Sequence, residues 1–396
     1  MSTVKKELTE SFIVDAIRTP LGRRNGTLRG THPVDLLSEV LRSIVKRSAI
    51  DSGKIEDIIA GCVTQIGEQG ANIARNASLS AGFPESVPGT TVDRQCGSSL
   101  QALQFAVQGV QAGFYDMLIA GGVESMSRET IGSNITAERN PITTSIEDRY
   151  HLNGDWFSQA YGAELIAKKY GFSREELDQF SFNSHKRASA SAEHFRNEIV
   201  PVETSLEQDG ELIEVILDRD EGVRPDVSME KMARLPPAFK GLELITAANA
   251  SQISDGASGV LVASDKGVEE NNLKPVAKVL SFSVVGVDPV TMLTGPIPAT
   301  RKALERAGLG PEHIDIFEVN EAFAPVPMAW MKEFKVDYGK LNPYGGAIAM
   351  GHPLGATGGR IVATLLNGLR SSGKRIGLIA VCEGGGMANA AVIERI

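Results

Sequence analysis

The stretch GVQAGFYDMLIAGG at residues 109–122 aligns without gaps on LRSSGKRIGLIAVC at 369–382. This self-match constrains the fold more than any other feature of the chain. Each copy reads as the end of a helix, a glycine stop and a buried apolar strand. A second pair, RSAIDSGKIEDIIAG (47–61) and ERAGLGPEHIDIFEV (305–319), again runs from a helix end through a turn and an Ile/Asp step into an apolar strand. Strands that are continuous apolar runs, alternating with helices, predict parallel sheets covered on both faces. Two βα-rich halves of about 120 residues each thus predict a duplicated α/β core. The alternative is a chance recurrence of helix-glycine-strand punctuation.

Residues 126–251, between the halves, differ in character. They include SREELDQFSFNSHKRASASAEHF and VRPDVSMEKMARLPPAF, rich in charged and polar side chains. Ser173 followed by Glu176 predicts a capped helix start. The segment reads as an inserted lid or ligand-binding subdomain. At 42% hydrophobic and 22% charged residues, the 396-residue chain has the composition of a folded globular protein rather than a disordered one. It lacks the run of about 18 apolar residues that a membrane helix needs, and MSTVKKELTES has neither a secretion nor a transit pattern. Three cysteines without CxxC spacing predict a reducing cytoplasm and leave any special cysteine as a working thiol. A formal charge of -9 disfavours wholesale nucleic-acid binding. The scattered histidines lack metal-ligand spacing.

Three glycine-bearing stretches carry candidate chemistry. In VDRQCGSSLQ, Cys96 stands between a β-type run and a segment whose Leu100, Leu103, Ala106, Val107 and Val110 recur at helical spacing. A thiol at a helix N-terminus has unpaired N–H groups and the helix dipole to favour its thiolate. By itself Cys96 fits either a nucleophile or a small core residue, whereas Cys62 in DIIAGCV reads as core. In NPYGGAIAMGHPLGATGG, His352 lies in a Gly/Pro loop at the start of an amphipathic helix, a setting that favours function over structure. In VCEGGGMANA, Cys382 ends a buried strand, and the following glycines either present N–H groups to an oxyanion or make a tight connection. No GK[ST] or GxGxxG pattern supports nucleotide chemistry. Two thiols and a histidine meet the needs of acyl transfer through a thioester: a thiolate attacks, a histidine activates it and a second thiol moves a proton.

These residues resemble those of the thiolases, the acetyl-CoA acetyltransferases and 3-ketoacyl-CoA thiolases. The likeness runs from IVDAIRTPLGRRNG and GCVTQIGEQGANIAR through VDRQCGSSLQA, AGGVESMS, NASQISDGAS, TGPIPATRKALERAG, VNEAFA and GGAIAMGHPLGATG to CEGGGMANA. It implies the thiolase fold, a duplicated five-layered αβαβα core with halves at 1–125 plus 252–275 and 276–396. It also implies a CoA-binding loop domain at 126–251. Carried onto this sequence, Cys96 would take the acyl group and His352 would activate it. Cys382 would move a proton at the substrate α-carbon or the CoA thiol. Asn320 would hold a water that forms one oxyanion hole with His352, and the backbone N–H groups of Cys96 and Gly384 would form the other. Arg224, Phe239 and Ser251 match positions that line CoA. Met292 and Phe323 resemble contacts of the acyl or pantetheine chain, with core packing as the alternative.

Three departures concern the acyl pocket. WFSQAYGAE (156–164) stands where short-chain members carry a histidine and a methionine, Ser99 replaces a common glycine after Cys96, and Asn389 departs from the usual glycine near the C-terminus. GRRNG, GCVTQIGEQ and TTVDRQCGS are more similar to the degradative thiolases of fatty-acid or steroid side-chain breakdown. The resemblance therefore implies thiolytic cleavage of a 3-ketoacyl-CoA to acetyl-CoA and a shortened acyl-CoA, with condensation of two acetyl-CoA as the alternative. CoA would act as a substrate, with no permanently bound cofactor or metal. A cytoplasmic homodimer or homotetramer is expected, as is association with a β-oxidation partner enzyme. A catalytically silent CoA or lipid binder would have lost the nucleophile or the histidine, and both are present.

Overall fold

A computed structural model describes residues 8–136, 141–152, 157–208 and 210–396. The first half runs β1 (Ser11–Arg18), β2 (Gly22–Arg23), α1 (Pro33–Arg47), β3 (Asp57–Gly61), α2 (Ile73–Ser80), β4 (Thr90–Val92), α3 (Ser98–Gln111) and β5 (Met117–Ser125). The insertion carries α4 (Thr144–Tyr150), α5 (Gln159–Tyr170), α6 (Arg174–Ala190), α7 (Ala192–Phe195), the hairpin β6 (Val202–Gln208) and β7 (Glu211–Leu217), and α8 (Met229–Ala233). The chain returns to the first half as β8 (Ser254–Ser264) and α9 (Asp265–Glu270). The second half is β9 (Ala277–Gly286), α10 (Pro296–Ala307), β10 (Ile316–Val319), α11 (Pro325–Phe334), α12 (Ala347–Met350), α13 (Thr357–Ser371), β11 (Ile376–Glu383) and β12 (Met387–Arg395).

Both self-matches mark equivalent elements. The first copies span the ends of α3 and α1 with β5 and β3, and the second copies span α13 and α10 with β11 and β10. The strand order β1-β8-β5-β3 mirrors β9-β12-β11-β10, and the two sets meet at a single residue pair, Ile13 with Ala277. Sheet direction departs from the expectation. Only β3/β4, β3/β5 and β10/β11 pair in parallel, while β8 runs antiparallel to β1 and β5, and β12 antiparallel to β9 and β11. The continuous apolar runs come from helices on both faces, which is compatible with either direction.

Alternate strand residues feed separate cores. Leu118, Ala120, Ile379 and Val381 join the central layer around α3 and α13. Met117 and Ile119 face α1, and Leu378 and Ala380 face α10 and α11. The layers thus run helix, sheet, helix, sheet, helix, the order that the resemblance implies. The insertion is anchored by Arg18 of β1, which is fully buried and bonded to Glu198 (2.7 Å) and Asp220 (2.6 Å) on either side of the β6–β7 hairpin. Buried charges persist when paired in this way. The capped start of α6 forms as expected, with Ser173 and Glu176 bonding reciprocally.

Candidate active site

The site is built where α3 and the strand ends of the second half meet. Cys96 precedes α3 in a tight turn whose Gln95 adopts left-handed backbone (φ 49°), a conformation costly for a side-chain-bearing residue and held by its surroundings. Ser98 fastens the turn, with its hydroxyl donating to the Gln95 carbonyl (2.6 Å) and accepting from the Arg94 N–H (2.8 Å). Cys382 is the penultimate residue of β11, and the chain then reverses through Gly385 (φ 77°) and Gly386 (φ 76°), where left-handed backbone favours glycine. That turn aims the Gly384 N–H at the Cys96 sulfur, and the N–H of Cys96 itself points there too.

His352 is buried and its ring is oriented from both sides. Its Nδ1 lies 2.7 Å from the Thr357 hydroxyl, which donates its own proton to the Pro353 carbonyl (2.8 Å). The hydroxyl must therefore accept Nδ1–H, which leaves Nε2 as the basic nitrogen. The His352 N–H donates to Ser254 Oγ (2.7 Å), fixing the loop to β8. Asn320, just past β10, reaches both partners: its Nδ2 lies 3.4 Å from His352 Nε2 and also bonds the Cys382 sulfur. Its Oδ1 has no partner among the described residues.

Electrostatics assign states to these groups. Burial, helped by the Arg360 cation, lowers His352 to about 3, so it is a neutral base at physiological pH. Burial pushes Cys382 up to about 12, so it rests as a protonated thiol with a proton to give. For Cys96 the structure corrects the expectation of a thiolate stabilised by the helix. Burial, followed by the neighbouring Cys382 and Glu383, raises this thiol well above its ordinary value, and the two N–H groups only partly offset the rise. The resting group is a thiol, which needs a base before it can act as a nucleophile.

The remaining predicted positions scatter more widely. Arg224 lines a cavity of about 250 Å³ with His185, Asp226, Ser228, Lys231, Ala248 and Gln252, in which Lys231 pairs with the Asp226 carboxylate (3.7 Å). Ser251, Phe239, Met292 and Phe323 do not line it. Ser251 and Phe323 nevertheless flank the segment that carries Asn320, through Ser251 N–H to the Ala322 carbonyl (2.9 Å) and an Ala250–Phe323 bridge. Phe239 is 65% exposed, whereas Met292 is a core residue. In the departing stretch WFSQAYGAE, Trp156 lies outside the described residues. Glu164 is buried and accepts the N–H groups of Glu243, Leu244 and Ile245, a structural anchor. Ser99 accepts the Gly359 N–H (3.0 Å) and so ties α3 to α13.

Residues 11–266 match the thiolase N-terminal domain and residues 273–395 the thiolase C-terminal domain. The chain belongs to the thiolase family. This thiolase is 50% identical to the steroid 3-ketoacyl-CoA thiolase FadA6 of Mycobacterium tuberculosis, over 98% of this chain and 95% of that one. It is 39% identical to the β-ketoadipyl-CoA thiolase of Acinetobacter baylyi, over 98% and 100%. It shares its fold with the crystal structure of the Bacillus anthracis acetyl-CoA acetyltransferase, at a TM-score of 0.88, 34% identity and coverage of 98% and 100%. As a thiolase it is an acyltransferase that uses CoA as a substrate. Among the described residues no helix is long and apolar enough to cross a membrane.

Sequence reasoning missed Ser254 and Thr357, which orient His352, and Gln95, which shapes the nucleophile turn. Thr357 had a local signal, since it opens α13 five residues after His352. Ser254 had none, because its contact spans 98 positions.

Proposed function

We propose that this thiolase is degradative and cleaves 3-ketoacyl-CoA with CoA to acetyl-CoA and a shortened acyl-CoA. The 50% identity to a steroid 3-ketoacyl-CoA thiolase carries the degradative direction, and the convergence of two buried thiols, Cys96 and Cys382, with a neutral histidine and the Gly384 N–H supports the acyl transfer. His352 Nε2 takes the Cys96 proton as the sulfur attacks the 3-keto carbon, and the N–H groups of Cys96 and Gly384 hold the resulting oxyanion. Each such donor contributes about 3 kcal/mol to the transition state. The bond between C2 and C3 then breaks, leaving the acyl group on Cys96. Cys382 gives its proton to the departing enolate carbon, and Asn320, with a water and His352, stabilises the enolate oxygen. CoA enters and gives its thiol proton to Cys382. Its sulfur displaces Cys96, which recovers its proton from His352.

Arg224, Phe239 and Ser251 are assigned to CoA, and Met292 and Phe323 to the acyl or pantetheine chain. Residues 126–251 form the CoA-binding loop domain, between halves at 1–125 plus 252–275 and 276–396. The similarity to an acetyl-CoA acetyltransferase favours a second reading, condensation of two acetyl-CoA through the same acyl-Cys96. Thiolysis rates for acetoacetyl-CoA and for long or bulky 3-ketoacyl-CoA separate the two, and a preference for acetoacetyl-CoA sinks the first. The proposal extends to a cytoplasmic homodimer or homotetramer and to a β-oxidation partner enzyme. Sedimentation of the protein alone, and with such an enzyme, tests this.

A further inference from the structure

Next to Cys382, β11 turns Glu383 to the opposite face, toward the start of α3. Its side chain is fully buried, and neither carboxyl oxygen has a hydrogen-bond partner among the described residues. One oxygen lies 2.0 Å from the point that a Cβ on Gly97 would occupy, and Asn389 Nδ2 lies 2.7 Å from the same point. Asn389, on the neighbouring strand β12, donates to the Gly97 carbonyl (2.9 Å), and its own Oδ1 is buried without a partner among the described residues. Two polar side chains of the second half thus close on the peptide that follows the nucleophile. A Cβ at Gly97 would force both side-chain ends to shift.

We propose that Glu383 and Asn389 are positioning residues for Cys96: Asn389 holds the Gly97 peptide, and the carboxyl against it sets how readily the Cys96 thiolate forms. The inference rests on Cys96 being the nucleophile. The ionisable groups around Glu383 are Arg94 and Asp93, from the turn before Cys96, and the two thiols. Burial holds the carboxyl up at about 9, with Arg94 drawing it down and Asp93 pushing it up, so it is a neutral acid at physiological pH. Once ionised, it sets a negative charge beside both thiols and opposes the thiolate.

The test is the rate at which iodoacetamide alkylates Cys96 without substrate, followed by mass spectrometry from pH 7 to 10. The ratio of the Glu383→Gln rate to the wild-type rate is expected to rise about tenfold across that range, the effect of one buried like charge on a neighbouring thiol. Glu383→Met, uncharged and of similar length, should give the same rise if Glu383→Gln folds poorly. A ratio that stays flat for both overturns the electrostatic role, because a purely structural residue has no reason to act only at high pH. Asn389→Ala is expected to lower kcat about tenfold with KM unchanged, and an unchanged kcat overturns the anchoring role. Full thiolysis by Cys96→Ser would instead break the nucleophile assignment, and so separates that failure from this one.

Discussion

The two halves use one supersecondary corner in opposite ways. In the gap-free alignment Gly122 of β5 stands opposite Cys382 of β11. A Cβ at Gly122 would lie 2.0 Å from the Gly355 carbonyl oxygen, so the first strand end is sealed against the His352 loop, while the second carries a thiol. At the end of β3, Cys62 is inert core and burial pushes its thiol up. Asn320, its counterpart after β10, touches both His352 and Cys382. At the helix starts the roles reverse: α3 follows Cys96, the proposed nucleophile, and α13 opens with Thr357, which orients the His352 ring. Duplication has therefore produced one composite site. Each half is blank where the other needs room.

The largest expected break in this picture is Cys96→Ser, which should lower thiolysis by about 10³-fold or more and abolish the acyl-enzyme seen by mass spectrometry with 3-ketoacyl-CoA alone. Retained turnover would move the nucleophile out of the first half. Next comes Gly122→Ala, expected to cost about 2–3 kcal/mol in urea unfolding because the added methyl displaces the Gly355 carbonyl. Gly286→Ala, which meets open space, is the control and should cost far less. Equal losses would mean that the seal between the halves is not tight. Thr357→Val leaves the His352 Nδ1–H without its acceptor, so kcat should fall about tenfold with little change in KM. A wild-type kcat would show that the second half orients its base by other contacts. The smallest effect is an absence. Since His352 stays neutral down to about 3, kcat/KM should show no step near pH 6.5, and a step there would reveal a base far more exposed than this one.

Local signals carried far in this chain. The helix-glycine-strand punctuation, the Ser173–Glu176 cap and the apolar spacing of α3 are set by neighbours in sequence, and all appear in the fold. Cys96, His352 and Cys382 stand out for the same reason, each in its own short glycine-bearing motif, whereas Asn320 came only with the family resemblance. Other features are decided at long range. The antiparallel return of β8 between β1 and β5 comes after the whole insertion, and no local pattern specifies it. The Cys96 thiol read as depressed from its helix start alone, yet it is raised, because the second half closes over it and removes water. Ser254 and Asn389 reach the site across 98 and 292 positions. The sequence by itself determined the duplicated framework and marked the thiols and the histidine proposed to react, since periodicity and turn chemistry act between near neighbours. Only the tertiary structure decided their protonation states and the side chains that hold them, since desolvation and Coulomb coupling depend on what the other half brings into contact.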